Sequence, residues 1–171
     1  YIFVHIDDIP RTMEIFGKIS KKRERVIIIG GGNVGLNVAK ELELRTDKIR
    51  VKIIEKDLIT AEIAADTLEK TIVLNGDGLD LDLLQEANVQ SADAILAVTD
   101  DDKTNLLVAT QARAAGCPIT ISLINDPDMI GLMEPLGISA FVNPRASTVS
   151  SILRHIRHGR VRTVFSIGNG E

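Results

Sequence analysis

Three glycines at a fixed spacing, Gly30, Gly32 and Gly35, follow the apolar run Val26–Ile29 and open a segment with helical periodicity. In a strand–turn–helix unit this G-x-G-x-x-G pattern binds pyrophosphate. The first glycine permits the tight turn, the second lets the backbone approach the phosphates, and the third allows close helix–strand packing. The helix N-terminus adds unpaired N–H groups and a partial positive charge. The pattern therefore predicts a site for a phosphorylated ligand.

A carboxylate stands where a ribose-binding acid is expected. Glu55 follows the second apolar run, 20 residues after Gly35 (55 − 35 = 20), and an acid at about this distance binds the adenine-side ribose. Because an acid repels a 2′-phosphate, the sequence favours NAD(H) over NADP(H), and the adjacent Lys56 weakens this preference without reversing it. The glycines alone are compatible with a turn that binds nothing, so Glu55 is the residue that favours dinucleotide binding.

Two polar loops are predicted to complete the ligand crevice. Asn75–Asp80 follows the third apolar run and Thr99–Asn105 follows the fourth, and ligands of such folds bind at the carboxyl ends of strands. Asp80 and Asp102 are compatible both with helix capping and with ligand contact. The first loop is not predicted to bind calcium, because Leu79 and Asp80 occupy a ligand position and the glycine position of the EF-hand pattern.

Groups that could catalyse hydride transfer are not found beside this site in the sequence. A dehydrogenase needs a substrate region and an acid–base group such as His, Tyr or Lys. The only tyrosine, Tyr1, precedes the glycine pattern, and His155 and His158 have no third metal ligand nearby in sequence. Cys117, before an apolar run, is interpreted as a buried structural thiol. The sequence therefore predicts a dinucleotide-binding domain that is not an enzyme and holds no metal.

Six short apolar runs alternate with helical segments and must position these loops. The runs lack apolar–polar alternation, as expected of parallel strands buried on both faces. Asp126 and Pro127 predict the start of one of the helices. The alternation predicts an α/β fold, a doubly wound parallel Rossmann sheet of strand order 3-2-1-4-5-6 with its crevice between the first and fourth strands. The runs are Val26–Ile29, Val51–Ile54, Thr71–Leu74, Ala94–Val98, Ile119–Leu123 and Ala140–Val142.

The last helical segment, residues 147–158, has a narrow apolar stripe opposite a basic face. We interpret it as a contact between subunits; the alternative is that the stripe covers the domain's own sheet. The residues of the stripe are Val149, Ile152, Leu153 and Ile156.

Composition excludes several classes of function. The net charge of −4 and the aromatic content of 3% argue against nucleic-acid binding. No apolar run approaches the ~20 residues that span a bilayer, and a single cysteine fits a reducing cytosol.

Four motifs in order, "GGGNVG", "IIEKD", "NGDGLDLDLL" and "AVTDDDKTNLLVATQA", resemble the TrkA N-terminal domain family, also called KTN or RCK-N. The resemblance covers about residues 25–160, and the chain is similar to the second of the two such domains in regulators of potassium uptake. It implies that 1–24 ends a preceding C-terminal RCK-type domain plus linker, that 25–160 is the nucleotide-binding domain, and that 161–171 begins a following RCK-type domain.

The resemblance also implies a site and a role. The loop residues Gly30, Gly32, Asn33, Val34 and Gly35 would bind phosphates, with Glu55 at the ribose. Asp77 and Gly78 would lie by the adenine, and Thr99 and Asp102 near the middle of the ligand.

NAD(H) is the expected ligand, with ATP or ADP as the alternative, because relatives tuned to ATP often carry arginine where this chain has Asn33. The implied protein is a cytoplasmic regulator, peripheral to the membrane, that forms a homo-oligomer through residues 147–158 and gates a membrane potassium transporter. Two alternatives are the cofactor-binding domain of an NAD-dependent oxidoreductase that lacks its substrate domain, and a structural domain with an empty crevice.

Overall fold

The computed structural model describes residues 25–45 and 48–144. The helix expected at residues 147–158, with its predicted subunit contact, and the expected domain fragments at 1–24 and 161–171 lie outside the described residues.

The described residues form one six-stranded parallel sheet in the order β3-β2-β1-β4-β5-β6, which confirms the predicted fold class and strand order. Its strands are β1 (Arg25–Ile29), β2 (Arg50–Glu55), β3 (Ile72–Asn75), β4 (Ala94–Ala97), β5 (Thr120–Leu123) and β6 (Ala140–Val142). Four α-helices connect them: α1 (Asn33–Arg45), α2 (Leu58–Thr67), α3 (Leu81–Glu86) and α4 (Asp102–Ala114).

The central strands are buried on both faces, as their continuous apolar runs predict. Alternate residues of β1 enter two separate cores: Ile27 and Ile29 pack with Ile95 of β4 on one face, whereas Ile28 packs with Ile53 of β2 on the other. The edge strands differ, because no described strand covers their outer sides. β6 is exposed at all three residues, so the prediction of burial on both faces was wrong for the described edge.

Aspartates fix the starts of three of the four described α-helices. The carboxylates of Asp57, Asp80 and Asp101 accept hydrogen bonds from main-chain N–H groups in the first turns of α2, α3 and α4, which is the standard role of an N-cap residue. Asp126 caps the segment Pro127–Leu132 in the same way, but this segment is a 3₁₀ helix and not the regular helix that the Asp-Pro pair predicted. These caps fix the capped helix starts at the carboxyl edge of the sheet.

Cys117 is fully buried, which confirms the interpretation as a structural thiol. Burial raises the pKa of the Cys117 thiol above its ordinary value, so the nucleophilic thiolate is disfavoured.

Candidate functional site: a crevice at the carboxyl edge of the sheet

An open crevice of about 750 Å³ runs along the carboxyl ends of the strands and is lined by the loops that follow the neighbouring strands β1 and β4. This is the topological switch point at which doubly wound sheets bind ligands. Its volume falls within the range of small-molecule sites. Eight of the ten residues predicted for the site line it: Gly30, Gly32, Asn33, Val34, Glu55, Asp77, Gly78 and Thr99.

Two of the three pattern glycines are required by the packing of the protein itself. Gly30 has a φ of +105°, and a Cβ there would lie 3.0 Å from the main-chain nitrogen of Thr99. A Cβ on Gly35 would overlap the carbonyl oxygen of Gly30 and lie 3.2 Å from the Ile28 side chain. Gly35 therefore allows α1 to pack closely on β1, and it does not line the crevice.

Gly32 has a different environment. A Cβ at this position would meet no protein atom within 4 Å, and its φ lies outside the left-handed range. Neither packing nor backbone conformation therefore requires glycine here. Since Gly32 faces the crevice, a group that approaches the backbone from the open side explains the glycine, as in pyrophosphate sites.

The N-terminus of α1 also differs from the other helix starts. Among the described α-helices, α1 alone follows a glycine, Gly32, and so has no side-chain cap. The first N–H groups of a helix have no partner within the helix, and Gly32, Asn33 and Val34 line the crevice. These donors and the partial positive charge of the helix end fit a phosphate.

Glu55 joins the glycine loop to the loop after β2. Its Oε2 accepts a hydrogen bond from the Gly31 N–H at 2.5 Å, and its Oε1 accepts one from the Asp57 N–H at 2.8 Å. A carboxylate has about four acceptor positions, so each oxygen keeps one for the hydroxyl groups of a ribose. Glu55 lines the crevice, orders the glycine loop through Gly31, and keeps acceptor positions that a ribose diol would fit.

Asp77 and Lys56 form an ion pair at the same end of the crevice. The Lys56 Nζ lies 2.8 Å from Asp77 Oδ2, and Asp77 Oδ1 accepts a hydrogen bond from the Leu79 N–H at 2.9 Å. The hydrogen bond from Lys56 lowers the pKa of the Asp77 carboxyl, which is therefore ionised at neutral pH. Gly78, beside it, packs so tightly that a Cβ would overlap the Ile29 side chain.

Asp102, for which the resemblance implies a place near the middle of the ligand, is not among the residues that line the main crevice. Its carboxylate is buried and accepts hydrogen bonds from the Asn125 N–H at 2.9 Å and the Asp126 N–H at 2.8 Å. Burial raises the pKa of the Asp102 carboxyl, but these hydrogen bonds outweigh burial and leave the pKa below its ordinary value. Asp102 therefore joins α4 to the loop after β5 and does not line the main crevice.

The capping interpretation of Asp102 was wrong, because Asp101 caps α4. The capping interpretation of Asp80 is correct, since its Oδ1 accepts a hydrogen bond from the Asp82 N–H at 2.9 Å.

The crevice is predominantly acidic. Lys56 is the one basic residue among the described residues that line it, against five acidic residues: Glu55, Asp57, Asp77, Asp100 and Asp101. The charge of a phosphate bound here would therefore be offset mainly by the N-terminus of α1.

Residues that the sequence did not single out also build the site. Asp57 caps α2 through the Thr60 N–H and hydroxyl, and Asp101 caps α4 through the Thr104 N–H and hydroxyl. The signal was present in both cases, because each aspartate precedes a threonine by three residues. Asn125 was not identifiable, since its contact with Asp102 spans 23 residues.

Within residues 25–45 and 48–144 no three His, Cys, Asp or Glu side chains come together as metal ligands. No helix in this part of the chain is both long and apolar enough to span a membrane.

A doubly wound sheet with a glycine loop at its switch point defines a Rossmann-type domain. The model of the TrkA-N domain matches residues 26–144, and the chain belongs to this family. It is 41% identical over 170 residues to the Trk system potassium uptake protein TrkA of Azorhizobium caulinodans, covering 99% of this chain and 37% of that protein. It is 37% identical over 164 residues to the TrkA protein of Haemophilus influenzae, covering 96% of this chain and 35% of that protein. The chain thus spans about a third of the length of these relatives.

Solved structures share the fold at low sequence identity. The TrkA-N domain of the inner membrane protein ybaL from Escherichia coli superposes with a TM-score of 0.70 at 14% identity, covering 80% of this chain and 98% of that domain. The GsuK channel bound to NAD gives a TM-score of 0.61 at 20% identity, covering 72% of this chain and 22% of the channel. The Shewanella denitrificans Kef CTD in AMP-bound form gives 0.63 at 17% identity, covering 80% of this chain and 84% of that chain.

Proposed function

We propose that this chain is the nucleotide-sensing module of a potassium uptake regulator, that it binds NAD(H) in the crevice, and that it is not an enzyme. The bound nucleotide biases the conformation of the module, and a membrane potassium transporter responds to that bias. The relatives' names, Trk system potassium uptake protein TrkA, support the potassium part of this proposal.

The observation that best supports nucleotide binding is that Gly32, with open space at its Cβ position, and Glu55 line the same crevice. Gly32 is free of protein contacts at its Cβ position, and the Glu55 carboxylate, bonded to the adjacent Gly31 N–H, keeps acceptor positions. Gly32 would let a phosphate lie against the backbone, and Glu55 would accept hydrogen bonds from a ribose diol. A nucleoside phosphate supplies both groups in one ligand.

The charge of the crevice favours NAD(H) over ATP. Five carboxylates and one lysine line it among the described residues, and Asn33 provides no cation at the glycine loop. A triphosphate brings more negative charge than a dinucleotide into this acidic surrounding, which costs more electrostatic free energy. One protein of this fold has been solved with NAD and another with AMP. Because AMP is an adenine mononucleotide, ADP and ATP remain the second candidates.

The runner-up function is the cofactor-binding part of an NAD-dependent oxidoreductase. An acid–base group beside the nicotinamide would favour it, but the described residues that line the crevice include no His or Tyr, and their one lysine, Lys56, is paired with Asp77 at the end expected to hold the adenine. The regulatory function therefore explains the described residues without requiring an acid–base group or a substrate region that they do not supply.

Calorimetric titration of the chain with NADH, NAD⁺, NADP⁺, ATP and ADP tests the proposal. We expect NADH and NAD⁺ to bind more tightly than ATP measured without divalent cations, and NADP⁺ to bind weakly. We also expect the fluorescence of bound NADH to persist on prolonged incubation, because nothing oxidises it. Absence of binding by every nucleotide contradicts the proposal, and steady consumption of NADH favours the oxidoreductase.

A further inference from the structure

Asn105 on α4 is completely buried directly behind the crevice wall. Its Oδ1 accepts hydrogen bonds from the Thr99 N–H at 2.9 Å and the Thr99 hydroxyl at 2.7 Å. Its Nδ2 donates to the Thr99 carbonyl at 3.0 Å and the Leu123 carbonyl at 2.9 Å. All four hydrogen-bonding positions of the amide are therefore used, and one side chain joins the end of β5 to the loop that follows β4.

The partners fix the orientation of this amide. A main-chain N–H can only donate and a carbonyl can only accept, so turning the Asn105 amide over would place donor against donor and acceptor against acceptor. An apolar residue of similar size would leave buried N–H and C=O groups without partners, which is costly. Only a side chain that carries both a donor and an acceptor can hold Thr99 and Leu123 in this arrangement.

The hydrogen bonds of Asn105 change what Thr99 offers to a ligand. Thr99 lines the crevice, but its N–H donates to Asn105, and its hydroxyl lies within donating distance of Asn105 Oδ1 at 2.7 Å and of the Asp101 carbonyl at 3.2 Å. Beside it, the Thr104 hydroxyl donates to Asp101 at 2.6 Å, and the Asn125 amide donates to Asp102 at 3.0 Å. This side of the crevice, which we call the acceptor wall (Asp100, Asp101, Thr104 and Asn125), therefore presents mainly hydrogen-bond acceptors, and Thr99 lies beside it with both of its donors directed at other protein groups.

We propose that Asn105 is a positioning residue of the crevice, which fixes Thr99 and the end of β5 beside the acceptor wall and keeps the donors of Thr99 away from the ligand. The opposite side, at the N-terminus of α1, supplies the donors that a phosphate needs. The acceptor wall instead suits hydroxyl or amide hydrogens of a second nucleoside. This inference rests on the proposed function, because it concerns how the same crevice treats the half of a dinucleotide beyond the pyrophosphate.

A comparison of NAD⁺ with AMP separates this role from a general structural one. AMP contains only the half expected near Glu55 and Asp77, whereas NAD⁺ extends to the acceptor wall. In Asn105→Ala we expect affinity for NAD⁺ to fall about tenfold, the equivalent of one or two hydrogen bonds, while affinity for AMP changes less than about threefold. Both affinities are measured by calorimetric titration below the melting temperature of the variant.

The matched control is Ser122→Ala. Ser122 is fully buried beside Asn105, but its hydroxyl donates at 3.2 Å to the main-chain carbonyl of Asn105 and not to its side chain. Its loss should leave the ratio of the NAD⁺ and AMP affinities unchanged. If Asn105→Ala also leaves this ratio unchanged, Asn105 has only a structural role and the inference is wrong.

If Asn105→Ala does not fold, Thr99→Val tests the inference in its place. Valine has nearly the shape of threonine and retains the main-chain bonds to Asn105, so we expect a loss of NAD⁺ affinity below about threefold. A loss of about tenfold or more would show that the hydroxyl serves the ligand, which overturns the inference. Failure of the wild-type chain to bind either ligand would contradict the proposed function itself.

Discussion

At the scale of single residues, the glycines of the loop divide into those that the fold needs and one that it does not. Gly30 and Gly35 lie where a Cβ would meet main-chain atoms, whereas a Cβ on Gly32 would meet open space. The sequence pattern treats all three as one motif. Only the structure separates the effect of each on stability from its effect on binding.

Gly32→Ala is therefore predicted to weaken ligand binding with little effect on stability, and Gly35→Ala is predicted to lower stability. Gly32→Ala should change the free energy of unfolding by less than about 1 kcal/mol and lower NADH affinity at least about tenfold, because the methyl group occupies the space of a phosphate. Gly35→Ala should destabilise the fold by several kcal/mol, since the new Cβ overlaps the Gly30 carbonyl. Urea unfolding and calorimetric titration measure the two effects. A Gly32→Ala variant that binds NADH as the wild type does would contradict the phosphate assignment.

Glu55→Arg is predicted to reverse the preference between the two dinucleotides. The change removes the acceptor for the ribose hydroxyls and supplies a cation that pairs with a 2′-phosphate. NADH affinity should fall by about tenfold or more, while NADPH affinity falls much less or rises. Titration of both cofactors decides the point: parallel losses would mean that Glu55 only orders the Gly31 loop.

At the scale of secondary-structure elements, the sequence predicted the sheet well and the contacts between loops poorly. Continuous apolar runs and the glycine pattern identified all six strands and their order. Of the three consecutive aspartates, residues 100–102, only Asp101 has a local signal, the threonine three residues later, and it caps its own helix. The role of Asp102 depends on a tertiary contact with Asn125 on a different loop, which no local pattern predicts.

Asp102 is predicted to stabilise the domain above acidic pH. Asp102→Asn replaces one acceptor oxygen by a donor facing the N–H groups of Asn125 and Asp126, at a cost of about 2 kcal/mol. At about 2–4 °C per kcal/mol for a domain of this size, the melting temperature should fall by about 4–8 °C. Asp128→Asn, an exposed change in the adjacent 3₁₀ helix, is the control.

The pH dependence of this difference follows from the direction of the pKa shift. The folded pKa of Asp102 lies below its ordinary value of 3.8, so the contribution is complete above that value and is lost as the pH falls through the folded pKa. Melting temperatures measured from neutral to acidic pH should therefore converge for wild type and Asp102→Asn at the acidic end. Equal melting temperatures at neutral pH would contradict the role of Asp102.

At the scale of the whole molecule, a change caused by a bound nucleotide can be transmitted only if the domain contacts another domain or subunit. The stripe of residues 147–158 is our candidate for a contact between copies of the chain, and it lies outside the described residues. Ile152→Asp together with Ile156→Asp places charges in such a contact, so the double variant should sediment as a monomer and still bind NADH. A variant that stays dimeric or unfolds would show that the stripe belongs to the domain core.

The most direct test of the central claim is the melting temperature of the wild-type chain with and without NADH. A ligand that binds only the native state at 100 times its dissociation constant adds about 2.7 kcal/mol of stability. For a chain of this size the melting temperature should rise by about 5–10 °C. An unchanged melting temperature with NADH, NAD⁺, AMP, ADP and ATP alike would contradict nucleotide binding in the crevice.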